Sequence, residues 1–213
     1  MTSILLDTPE LDVGYSELGR HYITPEGKSY SSVTTVINFD KSGLDEWKQR
    51  VGEEEAERIC TAAAKRGTAV HEMIEQYLLN QPVDQNEYTK LFKMLKWKLD
   101  NIDNIIGLET PLYSDGMKLA GRVDCVGLYK EVMSVIDFKT ATKIKDSKWI
   151  TDYWLQTTAY SLMIEELTDI KIPQLVILMV AENGDIKEFI SDRDKWLEPL
   201  RQRILSYRQW VKR

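Results

Sequence analysis

The chain reads as an α/β protein in which a mixed central sheet carries helices on its faces and an α-helical N-terminal region precedes the sheet. Three observations predict this class. Two β-branched runs, LAGRVDCVGL and VMSVIDFKT, are separated by only Tyr129, Lys130 and Glu131, so an antiparallel hairpin is the default connection. A helical run, KWITDYWLQTTAYSLMIEEL, divides them from QLVILMVAE, a fully apolar strand suited to a sheet centre. Upstream, Glu53–Leu79 and Tyr88–Ile106 carry apolar residues at helical spacing.

Bulk properties narrow the class. With 213 residues, 43% of them hydrophobic and 29% charged, the chain can bury a substantial core and does not have the composition of a disordered protein. Its 28 basic and 34 acidic residues give a net charge of −6, which argues against indiscriminate coating of nucleic acid but leaves room for a local basic channel. No apolar run reaches membrane-spanning length, and Met1–Glu10 lacks the regions of a signal peptide. The expectation is a soluble, cytoplasmic protein with no membrane partner. Without repeats or a linker, residues 1–213 are expected to form a single domain. It divides into a hairpin and helical region at 1–107, a core at 108–190 and a C-terminal helix at 191–213.

Taken in order, residues before Val13 read as a loose arm, and RHYITPEGKSY as a hairpin turning at Pro25, Glu26 and Gly27. The hydroxyls of SSVTTV precede a helix, where Ser32, Thr34 and Thr35 can cap it or hold a phosphate. In Glu53–Leu79 the stripe is Ala56, Ile59, Cys60, Ala63, Gly67, Val70, Ile74 and Tyr77, either as one helix or as two meeting at Gly67–Thr68. His71 falls one turn from Gly67 and from Glu75. Both cysteines, Cys60 and Cys125, sit in apolar patterns and read as buried free thiols. Leu91, Phe92, Leu95, Leu99, Ile102 and Ile106 make the second helix core-facing, and LETPLYSDGM is a strand ending in a turn at Asp115–Gly116. Asp146 or Ser147 caps a helix whose face runs through Trp149, Tyr153, Gln156, Tyr160, Met163 and Leu167. Asn183–Gly184 turns QLVILMVAE back into IKEFI. The last helix points Trp196, Leu200, Ile204, Tyr207 and Val211 inward, with Arg201, Arg203, Arg208, Lys212 and Arg213 making it basic.

The chemistry concentrates in the two hairpin strands. Period-two alternation places Val135, Asp137 and Lys139 on one face of VMSVIDFKT, and Ala120, Arg122, Asp124 and Val126 on one face of the preceding strand, opposite Leu119, Gly121, Val123 and Cys125. Two aspartates and a lysine converging in this way suit a hard divalent cation such as Mg²⁺, which takes one or two carboxylates and completes its shell with water and phosphate. A lysine two residues on can orient a nucleophile or offset developing charge. Gln156, set in an aromatic stripe, needs a partner for its amide. Downstream, Lys143, Lys145 and Lys148 interleave with Trp149, Tyr153 and Trp154. That composition suits unpaired DNA, where each exposed base stacks for ~1–3 kcal/mol while cations follow the phosphates.

These residues carry a resemblance. Gly121-Arg122-x-Asp124, followed after thirteen residues by Asp137-x-Lys139 and then by Gln156-x-x-x-Tyr160 on the next helix, resembles the nuclease core of the PD-(D/E)XK superfamily, within its RecB-like exonuclease branch. RGTAVHEMIEQYL resembles the segment that precedes the core in that branch. YITPEGKSYSSVTTVI resembles the opening of phage exonucleases and of mitochondrial genome maintenance exonucleases. The resemblance implies a restriction-endonuclease-like core and a DNA exonuclease dependent on Mg²⁺ or Mn²⁺. It also implies Asp124, Asp137 and the Phe138 carbonyl as metal ligands, His71 serving a second metal, and Glu109 as a further acidic ligand. Lys139 then stands at the nucleophile, with Gln156 and Tyr160 supporting the site. Single-stranded DNA with a free end is the substrate implied by the mitochondrial branch. The phage branch implies duplex ends and a recombination or single-strand-binding partner. A four-cysteine iron–sulfur cluster, present in some relatives, is ruled out by the two cysteines. The alternatives are a duplex-end recombination nuclease or endonuclease, and a nuclease-like fold that only binds DNA. The intact Asp124, Asp137, Lys139 set speaks against the last.

Overall fold

The structure, a computed structural model, describes residues 6–212. Residues 1–5 of the expected arm and the basic Arg213 lie outside the described residues. From Leu6 the arm is held rather than loose, since the Leu6 N–H donates to the Ile106 carbonyl at 2.7 Å and Leu11 is buried.

Strands β1 (Asp12–Ser16), β2 (Gly19–Ile23) and β3 (Ser29–Ser32) form an antiparallel meander, with Gly27 at φ +77° in the second turn. The expected hairpin is therefore present, extended by one strand and built into the main sheet. Helices α1 (Val33–Ile37), α2 (Ser42–Val51), α3 (Glu53–Leu78) and α4 (Thr89–Leu99) follow. Next come β4 (Ile102–Ser114), β5 (Leu119–Tyr129) and β6 (Val132–Ala141), then α5 (Thr151–Thr168), β7 (Gln174–Ala181), β8 (Ile186–Asp192) and α6 (Leu197–Trp210). The eight strands make one mixed sheet in the order β1-β2-β3-β5-β6-β7-β8, with β4 also on β5. Pairing is parallel between β3 and β5 and between β6 and β7, and antiparallel elsewhere. The predicted β5–β6 hairpin forms, and Lys130 and Glu131, at φ +50° and +70°, make its two-residue turn.

Two apolar layers sandwich the sheet. On one face α1, α5 and α6 bury Val36, Leu155, Met163 and Leu200 against Val126, Val135 and Ile177. On the other, α3 and α4 bury Val70, Ile74, Leu95 and Leu99 against Ile136, Phe138 and Leu178. This is the mixed α/β architecture, with a restriction-endonuclease-like sheet flanked by helices, that the sequence predicts. Among the described residues no helix is long and apolar enough to cross a membrane.

Several elements differ from the sequence reading. Helix α3 runs unbroken through Gly67, because glycine costs only ~1 kcal/mol inside a helix that tertiary packing holds. On its first half Ala56 is buried but Ile59 and Cys60, a turn further on, are exposed; only Cys125 is the buried thiol expected. Helix α4 ends at Leu99, so Ile102 and Ile106 belong to β4. Asp146 caps a short 3₁₀ turn, Ser147–Trp149, and α5 starts only at Thr151. Trp149 and Leu167 are consequently exposed instead of lying on a buried stripe, as is Val211 beyond α6.

Candidate active site

The geometry begins with a gap in the sheet. Strand β5 gives one edge to β4 along its length, from Ile102↔Tyr129 to Ser114↔Leu119. Its other edge is shared: β3 pairs with Leu119 and Ala120, β6 with Cys125 to Tyr129. Residues 121–124 therefore face neither strand. At this gap the Asp124 carboxylate replaces the missing ladder, accepting the Phe138 N–H at Oδ2 (2.9 Å). Regular alternation also breaks here, since Val123 and Val126 share one core layer while Cys125 lies in the other. A strict period-two reading therefore misplaces Val126.

Three elements converge on Asp124. From α3, the His71 Nδ1 lies 3.8 Å from Asp124 Oδ2 and 3.6 Å from Glu109 Oε1, and ligand atoms of the three residues all fall within 4.8 Å of one another. The other ring nitrogen, Nε2, is 2.8 Å from the Phe138 carbonyl. This bond fixes the ring with Nδ1 facing the carboxylates. Glu109 reaches inward because its backbone is at φ +45°, a conformation that non-glycine residues rarely adopt, and Arg122 Nη1 donates to its carbonyl at 2.9 Å. His71 and Glu109 open on a cavity of about 390 Å³ lined also by Gly67, Thr68, Glu72 and Glu75. Burial opposes charge on His71, but Asp124 and Glu109 outweigh it and raise its pKa to about 9.

Asp137 stands outside this triad. Its Oδ1 accepts from Lys139 Nζ at 2.6 Å, whereas Oδ2 is buried and without a hydrogen-bond partner among the described residues. Burial pushes this carboxyl above the usual range, against the pull of Lys139. For Lys139 burial works the other way and is overcome by Asp137 and Asp124, so the ammonium stays charged. Tyr153 lies between two cations, Lys139 at 5.0 Å and Lys145 at 4.9 Å from its ring centre, with Lys145 Nζ also donating to its hydroxyl at 2.8 Å.

The remaining expected residues separate into groups. Tyr160 is buried with its hydroxyl against β5, where a Cβ on Gly121 would lie 2.6 Å from it; one turn earlier, Gln156 is half-buried. Burial raises the Tyr160 phenol. Lys143, Lys145, Lys148 and Trp149 lie exposed on the segment between β6 and α5, but Trp154 is buried against Trp196 and offers no face to a ligand. The hydroxyls of Ser32, Thr34 and Thr35 have internal partners. Ser32 Oγ caps α1 at the Thr35 N–H (2.9 Å), Thr35 Oγ1 donates to the Arg20 carbonyl (3.0 Å), and Thr34 Oγ1 accepts from Arg20 Nη2 (3.1 Å). Sequence reasoning missed two arginines. Arg66, buried on α3, donates to Glu182 (2.8 Å) and Thr140 (3.2 Å) and so seats His71 over the sheet. Arg20, on β2, donates to Thr34 at the start of α1. No periodicity singles out either residue.

The donor set fits a divalent cation: one imidazole nitrogen and carboxylate oxygens from Glu109 and Asp124, with the orphaned Asp137 oxygen buried nearby. Acidic residues and a charged lysine gathered at a break in a mixed sheet define the class of centre. The chain belongs to the PD-(D/E)XK nuclease superfamily, whose family model matches residues 84–210. That segment contains Glu109, Asp124, Asp137, Lys139, Gln156 and Tyr160, while His71 precedes it. The chain is similar to mitochondrial genome maintenance exonuclease 1 of Xenopus tropicalis, 30% identical over 128 residues, covering 55% of this chain and 36% of that one. It is also similar to the same exonuclease of Homo sapiens, 28% identical over 127 residues, covering 55% and 37%. The matched part thus spans little more than a third of the length of these relatives. A solved structure of a candidate exonuclease from Eubacterium rectale aligns over 65% of this chain and 63% of its own, with a TM-score of 0.42 and 14% identity.

Proposed function

We propose that this chain is a deoxyribonuclease dependent on Mg²⁺ or Mn²⁺, acting as an exonuclease on single-stranded DNA with a free end. The observation that carries the reading is the buried, unpartnered Asp137 oxygen beside the Asp137–Lys139 pair and the His71, Glu109, Asp124 group. An orphaned buried oxygen costs on the order of 1–3 kcal/mol, a cost expected where a side chain waits for a ligand. Asp124, Asp137, Glu109 and the imidazole of His71 would hold the cation, with the Phe138 carbonyl at its edge. When bound, the cation supplies an acidified water and offsets charge on the phosphodiester.

The protein's own groups do the rest. Lys139, its ammonium held charged by Asp137 and Asp124, donates hydrogen bonds to the attacking water or to the oxygens where negative charge grows. Tyr153 limits its reach, and the Tyr160 ring closes the gap from the α5 side. Single-strand preference is supported by Trp149, 77% exposed beside Lys143, Lys145 and Lys148, because a duplex hides the base faces that an indole can stack on.

The test compares equal-length, end-labelled single strands, blunt duplexes and covalently closed circles, with Mg²⁺, Mn²⁺ or EDTA at fixed salt. Hydrolysis of the linear single strand should need the cation and vanish in folded Asp137→Asn and Lys139→Met proteins. Parental activity in folded Asp137→Asn would sink the reading. Faster loss of the duplex would favour a recombination nuclease acting on duplex ends, with a strand-annealing partner.

A further inference from the structure

We propose that Arg20 is a backbone-phosphate contact for the substrate strand, placed across the sheet gap from the lysines that follow β6; the inference rests on the nuclease reading above. The gap has two banks. Asp124, Asp137 and Lys139 line the β6 side. On the other side β3 ends at Ser32, α1 begins, and Arg20 on the neighbouring β2 reaches Thr34 at the start of α1. The start of α1 that Arg20 reaches packs through Val33 in the same apolar layer as Tyr160, whose hydroxyl faces Gly121 at the gap.

Arg20 combines partial burial with neutral company, whereas Arg208, whose described partner is the Met117 carbonyl, is exposed. Arg66, Arg122, Arg193 and Arg203 each hold a carboxylate. The described partners of the Arg20 side chain are the Thr34 hydroxyl at 3.1 Å and the Tyr22 ring at 5.5 Å, neither of them anionic. A half-buried guanidinium with only neutral partners, at the rim of an acidic cluster in a chain of net charge −6, retains its capacity for an anion. Its planar fork matches two phosphate oxygens, and exchanging one neutral hydroxyl for a phosphate forms a stronger, charge-assisted bond. The serine and threonine cluster then has a positioning role. Thr35 holds the Arg20 carbonyl and Ser32 holds Thr35, so the hydroxyls aim the arginine instead of meeting the strand themselves.

The experiment measures binding of a fluorescent oligodeoxynucleotide in EDTA, by anisotropy across a salt series, for the wild-type chain, Arg20→Met and Arg20→Lys. Arg20→Met keeps an apolar stem on Tyr22 and should bind severalfold more weakly at moderate salt, with the slope of log K against log salt reduced by ~0.7, the value for one phosphate contact on a single strand. Arg20→Lys should restore the slope. A purely structural role would leave the slope unchanged. In the wild-type protein, modification of Arg20 by phenylglyoxal, followed by peptide mass spectrometry, should slow when the oligonucleotide is bound; this keeps the question open to refutation even where Arg20→Met folds poorly. A wild-type slope in folded Arg20→Met, or unprotected Arg20, overturns the inference while leaving the nuclease reading standing. Failure of the wild-type chain both to bind and to cleave DNA overturns both.

Discussion

Stability of the metal-free chain should fall as pH rises from neutral to about 9, and His71 should be the cause. Its carboxylate neighbours raise the imidazole from an ordinary 6.5 to about 9 despite its burial. A group whose folded-state pKa is raised favours the fold in its protonated form, so the stabilisation is complete below 6.5 and is lost as pH rises through about 9. The rise from 6.5 to about 9 corresponds to about 3.4 kcal/mol at most, and sharing of Asp124 and Glu109 among several partners trims this to about 2 kcal/mol. In a chain of this size that is roughly 4–8 °C in melting temperature. Differential scanning fluorimetry in EDTA from pH 6 to 9.5 measures it directly, with His71→Gln as the control. Burial raises the Asp137 carboxyl to about 6, at the lower edge of this scan, so the fall assigned to His71 is the part read above pH 7. A cation bound at Nδ1 must displace the same proton, so stabilisation by added Mn²⁺ should grow over the same interval. A flat wild-type curve, or an equal fall in His71→Gln, would refute the argument.

Two further outcomes follow from the packing. Glu188 accepts from Lys98, from Lys130 (2.6 Å) and from Tyr129 (2.7 Å), and these donors overcome its burial to lower its pKa to about 2. Its contribution is present above pH 4.5 and lost as pH falls through about 2, so Glu188→Gln should cost on the order of 1–3 kcal/mol at pH 7 and little at pH 2, measured by urea unfolding. Gly121→Ala would set a Cβ 2.6 Å from the Tyr160 hydroxyl and 2.9 Å from its Cε1. The overlap should destabilise by about 1–3 kcal/mol, and Tyr160→Phe in the same chain should recover part of the lost melting temperature by removing the nearer atom.

How much of this was legible in the sequence depends on the range of the interaction. The β5–β6 hairpin, the shared face of Asp137 and Lys139, and the core stripe of Leu91, Leu95 and Leu99 follow from local periodicity, and the structure repeats them. Local periodicity also suggested errors. Cys60 and Ile59 continue a helical stripe that begins at the buried Ala56, yet both are exposed, because spacing along a helix does not tell which of its turns other elements cover. Ile102 and Ile106 fit a helix as well as a strand until Ile102 pairs with Tyr129 of β5 and Ile106 falls in the irregular stretch of β4 that follows. The inward turn of Glu109 needs a positive φ that no glycine announces, and the placing of Arg20 and Arg66 depends on strands and helices distant in sequence.

The gap in the sheet gives Asp124 a structural role beside the ligand role proposed for it. Beyond Cys125↔Ile136 the β5–β6 ladder stops, so the Phe138 N–H has no β5 carbonyl to meet and would be orphaned in a buried strand. The Asp124 carboxylate takes that N–H with Oδ2, and the Phe138 carbonyl on the same residue takes His71. The two main-chain groups of one β6 residue thus fix a carboxylate from β5 and an imidazole from α3, while the adjoining residues, Asp137 and Lys139, supply the orphaned oxygen and the cation. Closing the ladder would satisfy the backbone without Asp124 and leave the carboxylate free to turn away. The open ladder costs a sheet hydrogen bond and, in exchange, holds the acidic groups in fixed relation to each other. That relation is what a site for a divalent cation requires.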